Sequence, residues 1–144
     1  MSFLSRFDAF HEQASQATGL DDFGSTDYVE PMKLLLSDYD TRCRHTPEGD
    51  AMSSGGIIGL LVARLFAQKG FKEHPEFANA GIEKPIIITG MPRTGSTALQ
   101  KLLARDPGTQ WLPPWLASAP MPRPPRDTWE NHPFYQAVAL GIEQ

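Results

Sequence analysis

Apolar residues recur at helical spacing near the start of the chain, at Phe3, Leu4, Phe7, Phe10, Ala14 and Ala17. Residues three and four positions apart lie on one face of a helix, so this spacing predicts an amphipathic helix. Gly19 follows directly, and glycine is the residue that most often ends a helix. The first predicted element is therefore a helix that ends at Gly19.

Two more helices are predicted before residue 80. Pro31 suits the first turn of a helix with apolar positions Met32, Leu35, Leu36 and Tyr39. After a polar stretch, a third helix is predicted from about Met52 to Lys69, with Gly70 as its end. Residues 1–82 are accordingly predicted to form a helical N-terminal region.

The pattern changes after Pro85. Ile86, Ile87 and Ile88 form a short apolar run without alternation, which is typical of a strand buried on both faces. A glycine-containing loop follows, and then a helix whose apolar stripe is Leu99, Leu102 and Leu103. A strand, a loop and a helix make half of a βαβ unit. We therefore expect residues 83–144 to begin an α/β domain with a P-loop-like parallel sheet, of which only the first strand, loop and helix are present.

The loop between this strand and this helix, GMPRTGST at Gly90–Thr97, has the composition of an anion site. Its backbone N–H groups and the helix N-terminus would point at one ligand, and Gly95 would let the backbone approach closely. Arg93 adds a permanent positive charge, and Ser96 and Thr97 add hydroxyl donors. A tight strand-to-helix turn is the plainer alternative. The flanking elements and the added polar residues favour phosphate binding.

The loop lacks the lysine of nucleoside triphosphate hydrolases, because Ser96 stands in its place. In those enzymes the lysine reaches the β- and γ-phosphates, and the adjacent hydroxyl holds magnesium. A ligand with one 5′-phosphate and no metal remains compatible with the loop. His11, His45 and His74 have no metal-ligand spacing, so no metal site is predicted.

Composition and charge exclude some classes of protein. The 144 residues carry a formal net charge of −4 with both signs interspersed, which gives no basic footprint for nucleic acid. The uninterrupted apolar run Gly55–Ala63 is shorter than the roughly 20 residues that span a bilayer, so no transmembrane segment is expected. The N-terminus has no signal-peptide pattern, and the lone Cys43 suits a reducing compartment. We expect a cytoplasmic protein of unassigned oligomeric state.

GMPRTGST resembles the 5′-phosphosulfate loop of the sulfotransferase family, and other segments agree with the bacterial branch in order. They are GLDDFG at 19–24, HPEF at 74–77, KPIIITG before the loop and LLARDP after it. The resemblance implies transfer of a sulfuryl group from 3′-phosphoadenosine 5′-phosphosulfate (PAPS) to a hydroxyl or amine, without a metal. The acceptor would be a small molecule, a glycan or a lipid.

The resemblance also implies roles for particular residues. Arg93 matches the family's basic residue, which would stabilise charge on the oxygen that bridges sulfur to the leaving phosphate. Arg93, Thr94, Gly95, Ser96 and Thr97 would bind the donor's 5′-phosphate. Many relatives carry a Trp-Glu pair after the loop helix, whereas this chain has Trp115-Leu116, so no general base is assigned. Asp106, Glu130 and His132 each have an ordinary explanation at a helix end.

The extent of the resemblance leaves three questions open. Family members continue for about 200 residues more, so we expect this chain to be the N-terminal part of a sulfotransferase, and its activity alone is the first open question. The proline-rich segment 111–129 is equally well explained as a wall of an acceptor pocket or as plain packing. The rival functions are a divergent P-loop nucleotide kinase or NTPase, and a noncatalytic helical interaction module.

Overall fold

The computed structural model describes residues 2–118 and 120–142, and the part described is mainly helical. Six α-helices occur in it, and short 3₁₀ turns lie between them. In chain order these helices are α1 Phe7–Thr18, α2 Val29–Arg42, α3 Pro47–Glu73, α4 Ser96–Leu103, α5 Pro114–Ser118 and α6 Pro133–Ile142.

The first three helices enclose one hydrophobic core, in which α1 packs along α3. The buried side chains are Phe3, Phe10, Ala14, Leu36, Ile57, Leu61 and Leu65. The three from α3 are spaced by four residues and so share one helix face. Periodicity therefore predicted the three helices and four of these seven core residues, those before α3. Leu4 and Leu35, on the same predicted faces, are 42% and 41% exposed. Gly19 caps α1 with φ of +70°, as predicted.

α2 begins at Val29, so Pro31 lies in its first turn, as predicted. Both predicted boundaries of α3 were wrong. α3 begins at Pro47 and continues through Gly70 to Glu73. Thr46 explains the early start of α3, because its Oγ1 accepts a hydrogen bond from the Gly49 N–H at 3.1 Å. Capping chemistry outside the apolar pattern thus set this boundary.

Two carboxylates tie the N-terminal turn to the other helices. Asp40 of α2 accepts hydrogen bonds from the Phe3 N–H at 2.7 Å and the Leu4 N–H at 3.0 Å. Its hydrogen bond from the Ser2 hydroxyl is the largest cause of a lowered Asp40 pKa, followed by the Leu4 amide. Asp50 of α3 pairs with both terminal nitrogens of Arg6, at 2.8 and 3.0 Å, and its pKa is lowered chiefly by that hydrogen bond.

A second hydrophobic group, here called the aromatic cluster, lies in the last third of the chain. Its buried members are Trp115, Leu116 and Trp129, and its half-buried members are Trp111, Met121, Tyr135 and Val138. The rings of Trp115 and Trp129 meet edge to face at 5.4 Å between centroids. α5 and α6 carry much of this cluster, so the proline-rich segment is packed against the final helix.

The predicted α/β sheet is wrong for this chain. No strand occurs within residues 2–118 or 120–142. Ile86 and Ile87 are instead 64% and 77% exposed in an extended segment. A strand needs a neighbour to accept its backbone hydrogen bonds, and the described residues provide none beside this segment. The division into regions 1–82 and 83–144 stays a prediction.

α3 is long and apolar enough, by length and composition alone, to cross a membrane. The core helix of a soluble protein passes the same test, and one face of α3 carries Ile57, Leu61 and Leu65 into the first core. The expectation that the chain has no transmembrane segment therefore stays a prediction.

Candidate functional site

The glycine loop, Gly90–Thr97, makes a tight turn into α4 with two residues in the left-handed region. Gly95 has φ of +86° and Arg93 has φ of +66°. The hydroxyl of Thr94 closes the turn by donating to the Met91 carbonyl at 2.7 Å. A Cβ on residue 90 would lie 3.0 Å from that hydroxyl, so glycine permits the close approach. The Thr94 hydroxyl therefore closes the loop beside Gly90, while the surroundings of Gly95 are open.

Gly95 precedes the first turn of α4 and supplies no side-chain cap. The first intrahelical bond across this end is the Leu99 N–H to the Gly95 carbonyl, at 3.0 Å. The N–H groups of Ser96, Thr97 and Ala98 consequently find no acceptor among the described residues. The hydroxyls of Ser96 and Thr97 also make no hydrogen bond within that part of the chain. This end of α4 presents a set of free donors beside the positive pole of a helix.

Arg93 lies in this loop with its side chain exposed and makes no ion pair or hydrogen bond to a residue the structure describes. Arg6 and Arg64, in contrast, are each bound to a carboxylate. A left-handed φ costs an ordinary side chain about 1–2 kcal/mol. Such strain concentrates at functional sites. Arg93 is thus a strained, unpartnered cation three residues before α4.

A large open cleft runs along α4, with a volume of about 1570 Å³. Its walls are the end of α3, the segment 81–88, residues of α4 and residues from 108–117 and 120–123. Ser96 and Thr97 line it, and so do Leu112 and Leu116. Residues of the proline-rich segment therefore line a cleft and also pack in the aromatic cluster. That the cleft is an acceptor pocket stays a prediction.

Two of the three residues considered as general bases, Asp106 and His132, have structural partners. Asp106 Oδ1 accepts a hydrogen bond from the Gly108 N–H at 2.9 Å in the turn after α4. His132 Nδ1 accepts one from the Phe134 N–H at 3.3 Å, at the start of α6. Leu116, of the Trp115-Leu116 pair, is buried in the aromatic cluster. A general base stays unassigned.

Two further observations complete the site. Among the described residues, no group of three or more His, Cys, Asp and Glu side chains could hold a metal ion. Arg105, Arg123 and Arg126, which the sequence analysis did not single out, line a second cleft that adjoins the first. The signal for Arg123 and Arg126 was their position among prolines, in PRPPR at 122–126, and Arg105 had no comparable signal.

These features define a class of protein. Residues 85–143 match the family model described as the sulfotransferase family. The chain belongs to that family and corresponds to part of a family member's length.

Two solved structures have the same arrangement over nearly the whole chain. The crystal structure of sulfotransferase STF1 from Mycobacterium tuberculosis H37Rv, in its type 1 form, is 43% identical with a TM-score of 0.86. Sulfotransferase STF9 from Mycobacterium avium is 32% identical with a TM-score of 0.80. The matches cover 95% and 94% of this chain, but 38% and 34% of those proteins. The chain thus spans just over a third of their length. No curated protein matches the sequence.

Proposed function

We propose that this chain supplies the donor-phosphate site of a PAPS-dependent sulfotransferase that acts in the cytoplasm. The observation that carries the proposal is the start of α4, where free amides and hydroxyls of Ser96 and Thr97 lie beside the unpartnered Arg93. An oxyanion is the ligand that such donors fit. The family membership supports a sulfated donor over other phosphates.

The donor would bring the sulfuryl group, and the chain's residues would bind and polarise it. The backbone N–H groups from Gly95 to Thr97 and the hydroxyls of Ser96 and Thr97 would donate hydrogen bonds to the 5′-phosphate. As the sulfur–oxygen bond to that phosphate breaks, its electron pair stays on the bridging oxygen. Arg93 would stabilise this charge while remaining protonated.

The acceptor's hydroxyl or amine would form the new bond to sulfur and lose its proton to a base that the described residues do not identify. The large cleft beside α4 has room for such a small-molecule acceptor, and a glycan or lipid headgroup would also fit its open shape.

Isothermal titration with 3′,5′-adenosine bisphosphate (PAP), the desulfated donor, tests this proposal. The titrations would use the 144-residue chain and, in parallel, the product of the longest reading frame that contains it. We expect binding without magnesium, and weaker binding by Arg93→Ala. An absolute magnesium requirement would favour the nucleotide kinase alternative. A folded protein without affinity for PAP would favour the noncatalytic module.

A further inference from the structure

The second cleft combines three arginines with one carboxylate. It has a volume of about 400 Å³ and is lined by Arg105, Arg123 and Arg126 together with Asp106. We call it the arginine cleft. Carboxylates outnumber cationic side chains in this protein, 17 to 13, yet none of these three arginines forms an ion pair within the described residues. The cleft therefore carries uncompensated positive charge.

Asp106 forms no ion pair with any of these arginines, and its two oxygens instead accept hydrogen bonds within the turn after α4. Its Oδ1 accepts from the Gly108 N–H at 2.9 Å, and its Oδ2 accepts from the Thr109 hydroxyl at 3.4 Å. Three guanidinium groups against one such carboxylate leave an excess of two positive charges on the lining.

Trp129 holds two of the arginines in place. The Cζ atoms of Arg123 and Arg126 lie 5.0 and 5.9 Å from the centroid of its ring, within the range of a cation–π contact. Trp129 itself is buried, and its Nε1–H donates to the Pro124 carbonyl at 2.9 Å. One fixed ring thus brings two like charges to the same site.

The backbone around these arginines is stiff. Pro122, Pro124 and Pro125 flank them, and proline fixes φ. Arg123 also donates from Nη1 to the Trp111 carbonyl at 2.9 Å, which leaves its other N–H groups for a ligand. Ordering these side chains would therefore cost a ligand little entropy.

We propose that the arginine cleft binds a phosphate, sulfate or carboxylate group, separately from the glycine loop. Guanidinium groups recognise these oxyanions with paired hydrogen bonds. The cleft lies past the far end of α4, about 12 Å of helix from Ser96. It shares Gly108, Thr109, Gln110, Trp111 and Arg123 with the large cleft. If the proposed function holds, on which this last assignment rests, the oxyanion belongs to an acidic acceptor that lies along the large cleft.

Tryptophan fluorescence gives a direct test, because all three tryptophans of the chain, Trp111, Trp115 and Trp129, are in the aromatic cluster. Inorganic phosphate would be titrated into the 144-residue chain, with potassium chloride holding ionic strength constant. We expect a saturable change in emission. Arg126→Gln should raise the apparent Kd about ten-fold or more, since a hydrogen bond to a charged group is worth at least that factor. Arg123→Gln should do the same.

Arg44→Gln is the matched control, because Arg44 is exposed, makes no bond to a described residue and lies between α2 and α3, away from the cleft. It should leave the phosphate response unchanged, and circular dichroism would verify that each variant is folded. No saturable response beyond that of chloride would overturn the proposal. An equal loss in Arg44→Gln would also overturn it, since only net charge would then matter.

The glycine loop is distinguished by a further pair of measurements. Arg93→Ala should keep the phosphate response of the tryptophans, and Arg126→Gln should keep the affinity for PAP. A phosphate response that disappears in Arg93→Ala but persists in Arg123→Gln and Arg126→Gln would assign the anion to the loop and reject the arginine cleft. If PAP fails to bind while the phosphate response follows Arg123 and Arg126, only the proposed function fails.

Discussion

Two groups of large aliphatic residues in this chain differ in burial. Ile57, Leu61 and Leu65 of α3 are buried against α1, whereas Ile86 and Ile87 before the glycine loop are mostly exposed. A helix satisfies its own backbone and needs only one apolar face covered, which a neighbouring helix can do. A parallel strand needs partners for its backbone and cover for both faces. The helical region therefore satisfies its own backbone hydrogen bonds and covers its apolar faces. The loop region, in contrast, leaves N–H donors without acceptors among the described residues and apolar side chains exposed.

The largest expected effect separates the two regions by stability. Phe10→Ala empties a buried site in the first core and should lower the free energy of unfolding by about 3–5 kcal/mol. Leu102→Ala, in the exposed part of α4, should change it by no more than about 0.5 kcal/mol. Urea unfolding followed by far-ultraviolet circular dichroism measures both. Similar losses would mean that α4 is packed as tightly as α1.

The next-largest expected effect is on the transfer rate, which should depend on the loop region and not on the helical region. If Arg93 stabilises the bridging oxygen, Arg93→Ala should lower kcat by roughly 10²–10³ with little change in stability. Arg93→Lys should retain part of the rate, because the positive charge survives. Single-turnover sulfuryl transfer at saturating PAPS would measure this, in the longest reading-frame product containing the chain.

Arg64→Ala is the contrasting variant in the helical region. Arg64 Nε donates to the Phe23 carbonyl at 2.6 Å, and its Nη2 pairs with Asp27 at 3.1 Å. Its loss should lower the free energy of unfolding by about 1–3 kcal/mol and leave the transfer rate of the folded protein intact. A wild-type rate in Arg93→Ala would remove Arg93 from the mechanism.

A matched pair of glycines sharpens the comparison. Gly19 and Gly95 both have a left-handed φ, and a Cβ at either would meet no atom within 4 Å. Alanine at each should therefore introduce backbone strain alone, worth about 1–2 kcal/mol. In Gly19→Ala the strain falls on the packed end of α1 and should appear in the free energy of unfolding. In Gly95→Ala the open loop can relax, so the cost should appear as weaker PAP binding. The reverse assignment would contradict the proposed difference.

Acid should produce the smallest effect, and in the helical region. The pKa values of Asp40 and Asp50 are lowered in the folded protein, so these carboxylates stabilise it above their unfolded pKa of 3.8. That stabilisation is lost as the pH falls through the folded values. Thermal unfolding between pH 6 and pH 3 should show a declining midpoint, and Asp40→Asn should flatten the decline. An unfolding temperature that stays constant as the pH is lowered from 4 to 3 would contradict this.

The sequence allowed the helices to be predicted because their signals are local. The apolar period of α1 and its stop at Gly19 lie within one short window, and the loop residues from Arg93 to Thr97 are contiguous. The strand at Ile86–Ile88 was mispredicted because burial depends on partners elsewhere, which a local run does not reveal. The arginine cleft was missed for a related reason. Arg105 and Arg126 meet only through the path of an irregular, proline-rich chain.

The irregular segment 81–89, which bends at Lys84, makes no hydrogen bond or ion pair with any other residue that the structure describes. Its conformational entropy is therefore part of the thermodynamics of any ligand at the glycine loop. Each residue that becomes fixed when a ligand binds costs about 1–2 kcal/mol, close to a factor of ten in Kd. Any contact that fixes this segment before a ligand binds would raise the affinity of the eight loop residues, Gly90–Thr97, for that ligand. Amide hydrogen exchange at Ile86–Thr89, with and without PAP, would show how much of that ordering the ligand itself has to provide.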